Sequence, residues 1–461
     1  MSLKKAGSVL SVLLFIAVLG LKIFCGETML PIMSVGIMLI FLIMLVCEVL
    51  PISLTCIMTL GFMPVLGITK DFNTALAGFS NQVVFFILAS FGIAAALISV
   101  PISKRVLKSL LVKFGNNSNK LVLVFMIATA LISSVMSNVP ACAIFIAIIT
   151  ELLKLLPEED RKKTGKTFMI GIPVASMIGG TMTPAGSSIN LLALSILEAN
   201  TEYDITFVQW ICFGIPIVLV VLPLAWFILI KVFPPAKIQK ENIKKFINDL
   251  KLPEKMLPEE KRVLIIFSVI FALWLASSWI RSINIMVVSL LGCGVFCLPK
   301  IGVLSIKEFF EKVSWDAIFL VGTVLSLASA LVTNGVTDSM ISMVPDMGQM
   351  PILIYMGIAA LTFILLIFIP VAPSLVAVFT PVVIHIALTA NMNPALAVML
   401  CAMCTGQCFL LPLDTVSLLS YSHGYYKMFE MPKMTAILQL CIVVISSALV
   451  YFIGTVLLRM A

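Results

Sequence analysis

Three short stretches hold most of the residues able to do chemistry in an otherwise apolar chain. Ser133, Ser137 and Asn138 bring hydroxyls and an amide to the segment SSVMSNVP, residues 133–140. GGTMTPAGSSIN, residues 179–190, adds Thr181, Thr183, Gly186, Ser187, Ser188 and Asn190. LPLDTVSLLSYS, residues 411–422, carries Asp414, Thr415 and Ser417, with Thr405 and Gln407 just upstream. Hydroxyl, amide and carbonyl oxygens suit a dehydrated Na⁺, a hard cation. Hydroxyls, an Asn amide and backbone N–H groups suit a carboxylate. A single Ser or Thr can instead bond its own i−4 carbonyl, but that reading weakens as such residues gather at a few places.

Asp414 is the only carboxylate deep in an apolar run, since Glu48, Glu151 and Asp316 lie near span ends. An acid at the bilayer centre costs roughly 2.5–3.5 kcal/mol unless it is paired or protonated. Ionised, Asp414 could hold a second cation; protonated, it could carry H⁺; the bland alternative is an acid that locks a bend. His385 is a lesser candidate for a proton relay, and His423 and Tyr425 read as interfacial.

Composition decides what surrounds these stretches. Of 461 residues, 61% are apolar and 11% charged, against about 45–50% and 25% in soluble proteins. A soluble fold could not hide so much apolar area. The expectation is an all-α polytopic membrane protein. Its 11 cysteines fall mostly in apolar runs, and none forms a metal-ligand pattern with His.

Runs of about 20 apolar residues give spans near 8–25, 28–47, 50–68, 83–102, 167–197, 206–230, 263–280, 283–299, 316–335, 395–422 and 434–457, about eleven in all. The first reads as a signal anchor rather than a cleaved peptide. Placing the N-terminus in the cytoplasm puts about 26 of the 30 basic residues on the cytoplasmic side. The net charge of +8 is then a matter of topology, not of a nucleic-acid surface. The C-terminus comes out on the extracellular or periplasmic face of the cell membrane.

Residues 121–153 and 351–390 are too long for one span and break at SSVMSNVP and at IPVAPS, residues 369–374. Arms of roughly 13 residues cover about two-thirds of a bilayer, so each stretch is expected to be a re-entrant hairpin. The order of features in 83–230 recurs in 316–461, and Pro184 and Pro412 occupy matching places, as do Gly186 and Asp414. The flanking charges make the two hairpins open to opposite faces, an inverted repeat of the secondary-transporter kind. The expected organisation is a scaffold (1–82), a first repeat (83–230) with interrupted helix 167–197, and a linker (231–262). Connecting scaffold helices (263–315) and a second repeat (316–461) with interrupted helix 395–422 follow. The linker reads as an amphipathic cytoplasmic helix, with the membrane surface as one place for it to lie.

At this level the chain resembles the divalent anion–sodium symporter family, carriers of dicarboxylates, citrate or sulfate. The resemblance runs from about residue 30 to 457. It rests on EVLPISLTCIMTLGFMPVLGI (48–68), the Ser137-Asn138 tip, GGTMTPAGSSIN, SWDAIFLVGTVLSLASALV (314–332) and LPLDTVSLLSYSHGYYKM (411–428). What the resemblance implies is a homodimer with a fixed scaffold and a transport domain that moves like an elevator. It places a first Na⁺ site on Ser133, Ser137, Asn138 and Gly186. Substrate contacts fall on Asn138, Val139, Ser187 and Ser188 in one half and on Ser374 and Thr415 in the other. The family tip Ser-Asn-Thr appears here as Ser137-Asn138-Val139 and then as Val371-Ala372-Pro373. Asp414 stands where the family carries Gly or Ala, as a possible second cation or proton site.

The expected function is secondary transport of a small organic anion, a di- or tricarboxylate, coupled to Na⁺ with H⁺ as an added option and needing no cofactor. Sulfate or another inorganic anion is the alternative substrate, and an anion channel the alternative mechanism. Polar residues gathered at opposed breaks argue against a continuous channel path. An enzyme lacks a nucleophile–base set here, and an ATP-driven pump lacks a phosphate loop.

Overall fold

The computed structural model describes residues 3–457 apart from 48, 115–116, 251, 254, 281, 337–349 and 369–371. Every regular element among the described residues is helical. α1 (Leu3–Cys25), α2 (Leu30–Val46) and α3 (Ile52–Val65) come first, then the short α4 (Phe72–Leu76), α5 (Gln82–Ser99) and α6 (Ile102–Phe114). A hairpin of α7 (Ser118–Ser133) and α8 (Asn138–Lys154) leads to a helix broken into α9 (Glu158–Gly180) and α10 (Ser188–Asn200), then α11 (Phe207–Val232). α12 (Lys240–Asp249), α13 (Pro258–Ala276), α14 (Ile285–Phe296), α15 (Ile306–Lys312) and α16 (Trp315–Thr333) follow. The last part comprises α17 (Pro351–Phe368), α18 (Ala372–Thr389), the broken pair α19 (Pro394–Thr405) and α20 (Thr415–Tyr421), and α21 (Pro432–Tyr451).

Local signals explain the boundaries. Asn117 accepts from Lys120 N to start α7, Thr206 and Gln209 close a capping box on α11, and Asn393 accepts from Ala395 N ahead of α19. Six of the helices described are long and apolar enough to cross a membrane by length and composition, and seven apolar helices are shorter, at 10–17 residues. The hairpin arms are longer than the roughly 13 residues expected. α7 and α8 have 16 and 17 residues, α17 and α18 have 18 each. The first tip takes up only 134–137, less than the polar run 133–140, because Asn138 already begins α8.

The packing of one half is mirrored in the other. α7 and α8 both pack on α9 as α17 and α18 pack on α19; α11 touches α7 and α9 as α21 touches α17 and α19. The halves also exchange partners: α8 and α9 pack on α20, while α18 and α19 pack on α10. α11 meets α21 and α5 meets α16, each helix against its own counterpart. Each broken helix is thereby enclosed by elements of both halves.

The linker helix lies on protein rather than on a membrane surface. Ile243, Phe246 and Leu250 of α12 are buried, α12 packs on α8, and Phe246 stacks on Phe125 of α7 with centroids 6.3 Å apart. The approach is fixed by Ile238 N donating to Ser118 Oγ (2.8 Å) and Thr167 Oγ1 donating to Phe233 O (2.7 Å). An apolar helix face finds more partner atoms in the end of a helical hairpin than at a headgroup boundary. Basic segments gather at this end of the bundle, where Lys166 meets Glu430 at 2.5 Å.

α6, which the apolar runs did not reveal, is an amphipathic helix latched to the start of α13. Arg105 pairs with Glu260, whose side chain is 0% exposed, and its Nη2 donates to Lys255 O at 2.9 Å. The hydrogen bond from Arg105 holds the Glu260 carboxyl below the ordinary range. A depressed carboxyl contributes stability above its unfolded pKa of about 4.3 and loses it as pH falls through the lower folded value. The thermal midpoint of the wild-type protein should therefore fall as pH drops from about 5 toward 3.5. In Arg105→Met the midpoint should be lower at pH 7 and its acid dependence shallower. Parallel pH profiles for the two proteins would dismiss the latch.

Candidate functional site

The first break, residues 181–187, sits against the tip of the first hairpin. Ser133, Asn138 and Ser176 are buried together. Ser133 Oγ lies 2.8 Å from both Asn138 Oδ1 and Ser176 O, and Ser176 Oγ donates to Asn138 O at 2.8 Å. One hydroxyl proton cannot serve both acceptors around Ser133. The Asn138 amide has two orientations related by a half turn. With nitrogen inward it donates to Ser133 Oγ, Ser176 O and Gly186 O at 2.8, 3.2 and 3.3 Å. With oxygen inward, the same position makes a set of four oxygens: Ser133 Oγ, Asn138 Oδ1, Ser176 O and Gly186 O. A set of oxygens of this kind suits a hard cation, whereas the nitrogen-inward orientation fills the position with N–H donors.

Two glycines make the approach possible. A Cβ on Gly180 would stand 2.0 Å from Asn138 Oδ1, and one on Gly186 would stand 2.7 Å from Gly180 O. Neither place admits a side chain.

Several of the backbone groups released by the break find side-chain partners. Asn190 Nδ2 donates to Gly180 O (2.9 Å) and Thr183 O (3.0 Å), and Trp210 Nε1 of α11 donates to Thr181 O (3.0 Å). Thr183 Oγ1 donates to Ser134 O of the hairpin tip (2.5 Å) and accepts from Gly186 N (3.0 Å). The second break, 406–414, is treated similarly by α21: Gln439 Nε2 donates to Gln407 O (3.3 Å) and Thr435 Oγ1 to Leu410 O (3.1 Å). Such satisfaction is the condition for irregular backbone at membrane depth.

The two breaks adjoin. A Cβ on Gly406 would lie 3.7 Å from Thr181 Cγ2, and Cys142 Sγ of α8 contacts Val416 O of α20 at 3.7 Å. Cys142 is one helical turn beyond Asn138, so the start of α20 flanks the first tip.

The residues singled out from sequence are distributed as follows. Ser133, Asn138 and Gly186 come together. Ser137 precedes α8 as its N-cap without a side-chain cap bond, half-buried at the tip. Val139 is half-buried in the first turn of α8, and Ser187 N-caps α10 by accepting from Ile189 N (3.3 Å), with Ser188 following. Asp414 is half-buried and N-caps α20, Oδ2 accepting from Val416 N at 2.9 Å, and Thr415 beside it is exposed. Asp414 thus matches Ser187 rather than Gly186, because helix starts, not prolines, set the register. Ser374 is buried in the first turn of α18; Val371 lies outside the described residues. His385 Nε2 is 2.9 Å from Thr389 Oγ1 on its own helix, away from the breaks. Ser176 and Trp210 were not anticipated. Ser176 stands four residues before Gly180, a spacing no different from a packing serine.

A hairpin tip and two adjoining broken helices, all buried in a helical membrane protein, define a secondary transporter. Residues 39–401 match the family described as citrate transporter, and the chain belongs to that family. An uncharacterized transporter of Haemophilus influenzae is 28% identical over 87% of both chains. The sodium-dependent high-affinity dicarboxylate transporter 3 of Caenorhabditis elegans is 24% identical over 87% of this chain and 79% of its own. A sodium-dependent dicarboxylate transporter, SdcS, of Staphylococcus saprophyticus is 24% identical over 88% and 83%. The crystal structure of the Alcanivorax borkumensis YdaH transporter matches the fold with a TM-score of 0.50 at 14% identity, covering 82% of this chain and 87% of that one. The resemblance to divalent anion–sodium symporters is borne out, and the protein is a multi-pass membrane transporter of organic anions, not an enzyme.

Trp210→Phe keeps the ring and removes its N–H, leaving the buried Thr181 carbonyl without that donor. The loss should cost about 1–3 kcal/mol and lower the thermal midpoint of the purified protein by a few degrees. An unchanged midpoint would mean that water or another donor already serves that carbonyl.

Proposed function

We propose that this protein takes up a small organic anion, a di- or tricarboxylate, by Na⁺-coupled secondary transport across the cell membrane. The observation that carries the reading is the buried cluster of Ser133, Asn138, Ser176 and Gly186 at the first break. Its oxygens form a complete cation set only when the Asn138 amide turns its oxygen inward. That turn points Nδ2 away from the cluster, where it can serve a carboxylate beside Ser187 and Ser188. A cation and an anion then share one side chain, and each favours the orientation the other needs. Val139, Ser374 and Thr415 complete the substrate set in this reading, with Ser137 contributing to the Na⁺ site from the tip. The sodium dependence and dicarboxylate substrates named for the worm and staphylococcal relatives support it.

The same reading places the N-terminus and the basic end of the bundle in the cytoplasm and the C-terminus outside. The scaffold would be residues 1–82 with 263–315, and the repeats 83–230 and 316–461 would move together as an elevator within a homodimer. The reciprocal packing of the two halves supports such a unit, as do the exposed apolar side chains of α1–α3, among them Leu13, Ile16, Leu39 and Ile57, which lipid or a second copy would cover.

Uptake of labelled succinate or citrate into proteoliposomes should require an inward Na⁺ gradient that K⁺ does not replace. Ser133→Ala, which removes one oxygen from the set, should raise the Na⁺ concentration for half-maximal uptake about tenfold, a change of about 1.4 kcal/mol. Sodium-independent uptake, or an unaltered Na⁺ requirement in the variant, refutes the assignment.

Asp414 adds H⁺ to the coupling in this proposal. Its carboxylate would adjoin the bound anion, and two acids that close cannot both stay ionised without a cation between them. Asn is an equally good N-cap, so Asp414→Asn removes the charge while keeping the start of α20. At fixed Na⁺ between about pH 5.5 and 8, the variant should bind substrate yet lose the pH dependence of uptake. Identical profiles for the two proteins would leave Asp414 as a capping acid alone.

A further inference from the structure

At the basic end of the bundle the first turns of α9, the end of α11 and the loop after α20 line an open cleft of about 1130 Å³. Lys166 in its wall and Gly180 stand on the same helix, so the cleft lies roughly 20 Å along α9 from the first break. Tyr426 closes its inner side: the ring is buried, and its OH lies 2.9 Å from Ser420 Oγ and 3.4 Å from Ser417 O of α20. Topology explains why bases collect on this face, but not why bases of both repeats should line one hollow.

Five basic and three acidic side chains line the cleft, a surplus of two positive charges. Lys166 is held by Glu430 at 2.5 Å and lies 5.8 Å from the centre of the Phe233 ring, and Lys162 pairs with Glu158 at 2.8 Å. Arg161 donates to Leu153 O and Leu156 O at the end of α8, both at 3.1 Å. Lys163 of the first repeat and Lys427 of the second are exposed and belong to none of the ion pairs among the described residues. The two walls that carry them are fixed against each other. A Cβ on Gly165 of α9 would stand 2.1 Å from Cδ1 of Tyr425, so the loop after α20 is seated directly on α9.

We infer that this cleft binds an anionic phosphate group, as carried by an acidic phospholipid or by a soluble phosphate ester. Lysine ammonium groups are point charges that can meet a phosphate from several sides. A carboxylate is best held by the flat fork of an arginine, and the arginine here is engaged by carbonyls. Basic hollows between spanning helices suit acidic headgroups, and Phe429, next to Glu430 in the chain, is an exposed apolar ring at this end of the bundle. A phosphate between Lys163 and Lys427 ties the first repeat to the second at a place separate from the breaks.

The test follows the thermal midpoint of the purified full-length protein in a neutral detergent against added phosphatidylglycerol, phosphatidylcholine or glycerol 3-phosphate. Phosphatidylglycerol should raise the midpoint by several degrees. Phosphatidylcholine, whose choline cancels the phosphate charge, should not. A rise with glycerol 3-phosphate as well assigns recognition to the phosphate alone, and its absence makes the ligand a lipid; a rise with glycerol 3-phosphate only makes the ligand soluble. All three uphold the site. Lys163→Gln with Lys427→Gln should melt like wild type without ligand, since neither lysine has an ion pair to lose. This double variant should need at least about tenfold more ligand for the same shift. Its response to succinate in Na⁺ should equal that of wild type. Lys427→Gln alone serves if the double variant does not fold. The inference is overturned if neither phosphatidylglycerol nor glycerol 3-phosphate shifts wild type, if phosphatidylcholine acts as well as phosphatidylglycerol, or if the variant responds at the wild-type concentration. A variant that also loses a wild-type response to succinate makes the cleft part of the transport path, which equally overturns it.

Discussion

A helix that stops inside a bilayer must find partners for the N–H and C=O groups it releases, because lipid offers none. The rest of this structure follows from meeting that demand twice. α9 and α19 both stop within the bundle, and the following helix in each half, α11 or α21, sends a side-chain N–H to a freed carbonyl: Trp210 to Thr181 O, Gln439 to Gln407 O. Close approach is needed for this. Gly214 of α11 has no room for a Cβ, which would stand 2.5 Å from Met182 O. The glycines of the breaks and their neighbours are thus fixed by hydrogen bonding as much as by chain flexibility.

The same geometry supplies the chemistry. At the first tip the Ser133 hydroxyl and the Asn138 amide lie against Ser176 O and Gly186 O, and the orientation of that amide decides whether N–H groups or an oxygen face them. Exchange of partners between halves places α20 beside the first hairpin and α10 beside the second. A movement that displaced one half alone would tear these contacts apart.

Much of this was legible in the residues. Apolar runs, the polar interruptions near Ser137 and Asp414, and the matching order of features gave the helical membrane fold, both broken helices and the location of both hairpins. What was not legible has a common cause: it depends on neighbours remote in sequence. Ser176 looks like any serine on a packed helix until the first tip folds against it. Trp210 looks like a lipid-facing aromatic until Thr181 O is seen beside it. α12 carries a membrane-seeking pattern, yet Phe125 and α8 offer its apolar face a better surface. α6 is too polar to register as a span, and Arg105 earns its place only through Glu260, 155 residues away. Equal spacing of prolines paired Gly186 with Asp414, whereas the N-cap bonds align Asp414 with Ser187.

The claim on which the account rests is that oxygens released at the first break are held by a cation. Hydrogen exchange followed by mass spectrometry reads the opening of these segments directly, peptide by peptide. Compared in Na⁺ and in K⁺ at equal ionic strength, peptides spanning 134–142 and 181–190 should exchange more slowly in Na⁺, while α1–α3 should not respond. Equal exchange of those peptides in the two salts, or Na⁺ protection confined to other parts of the chain, would contradict it.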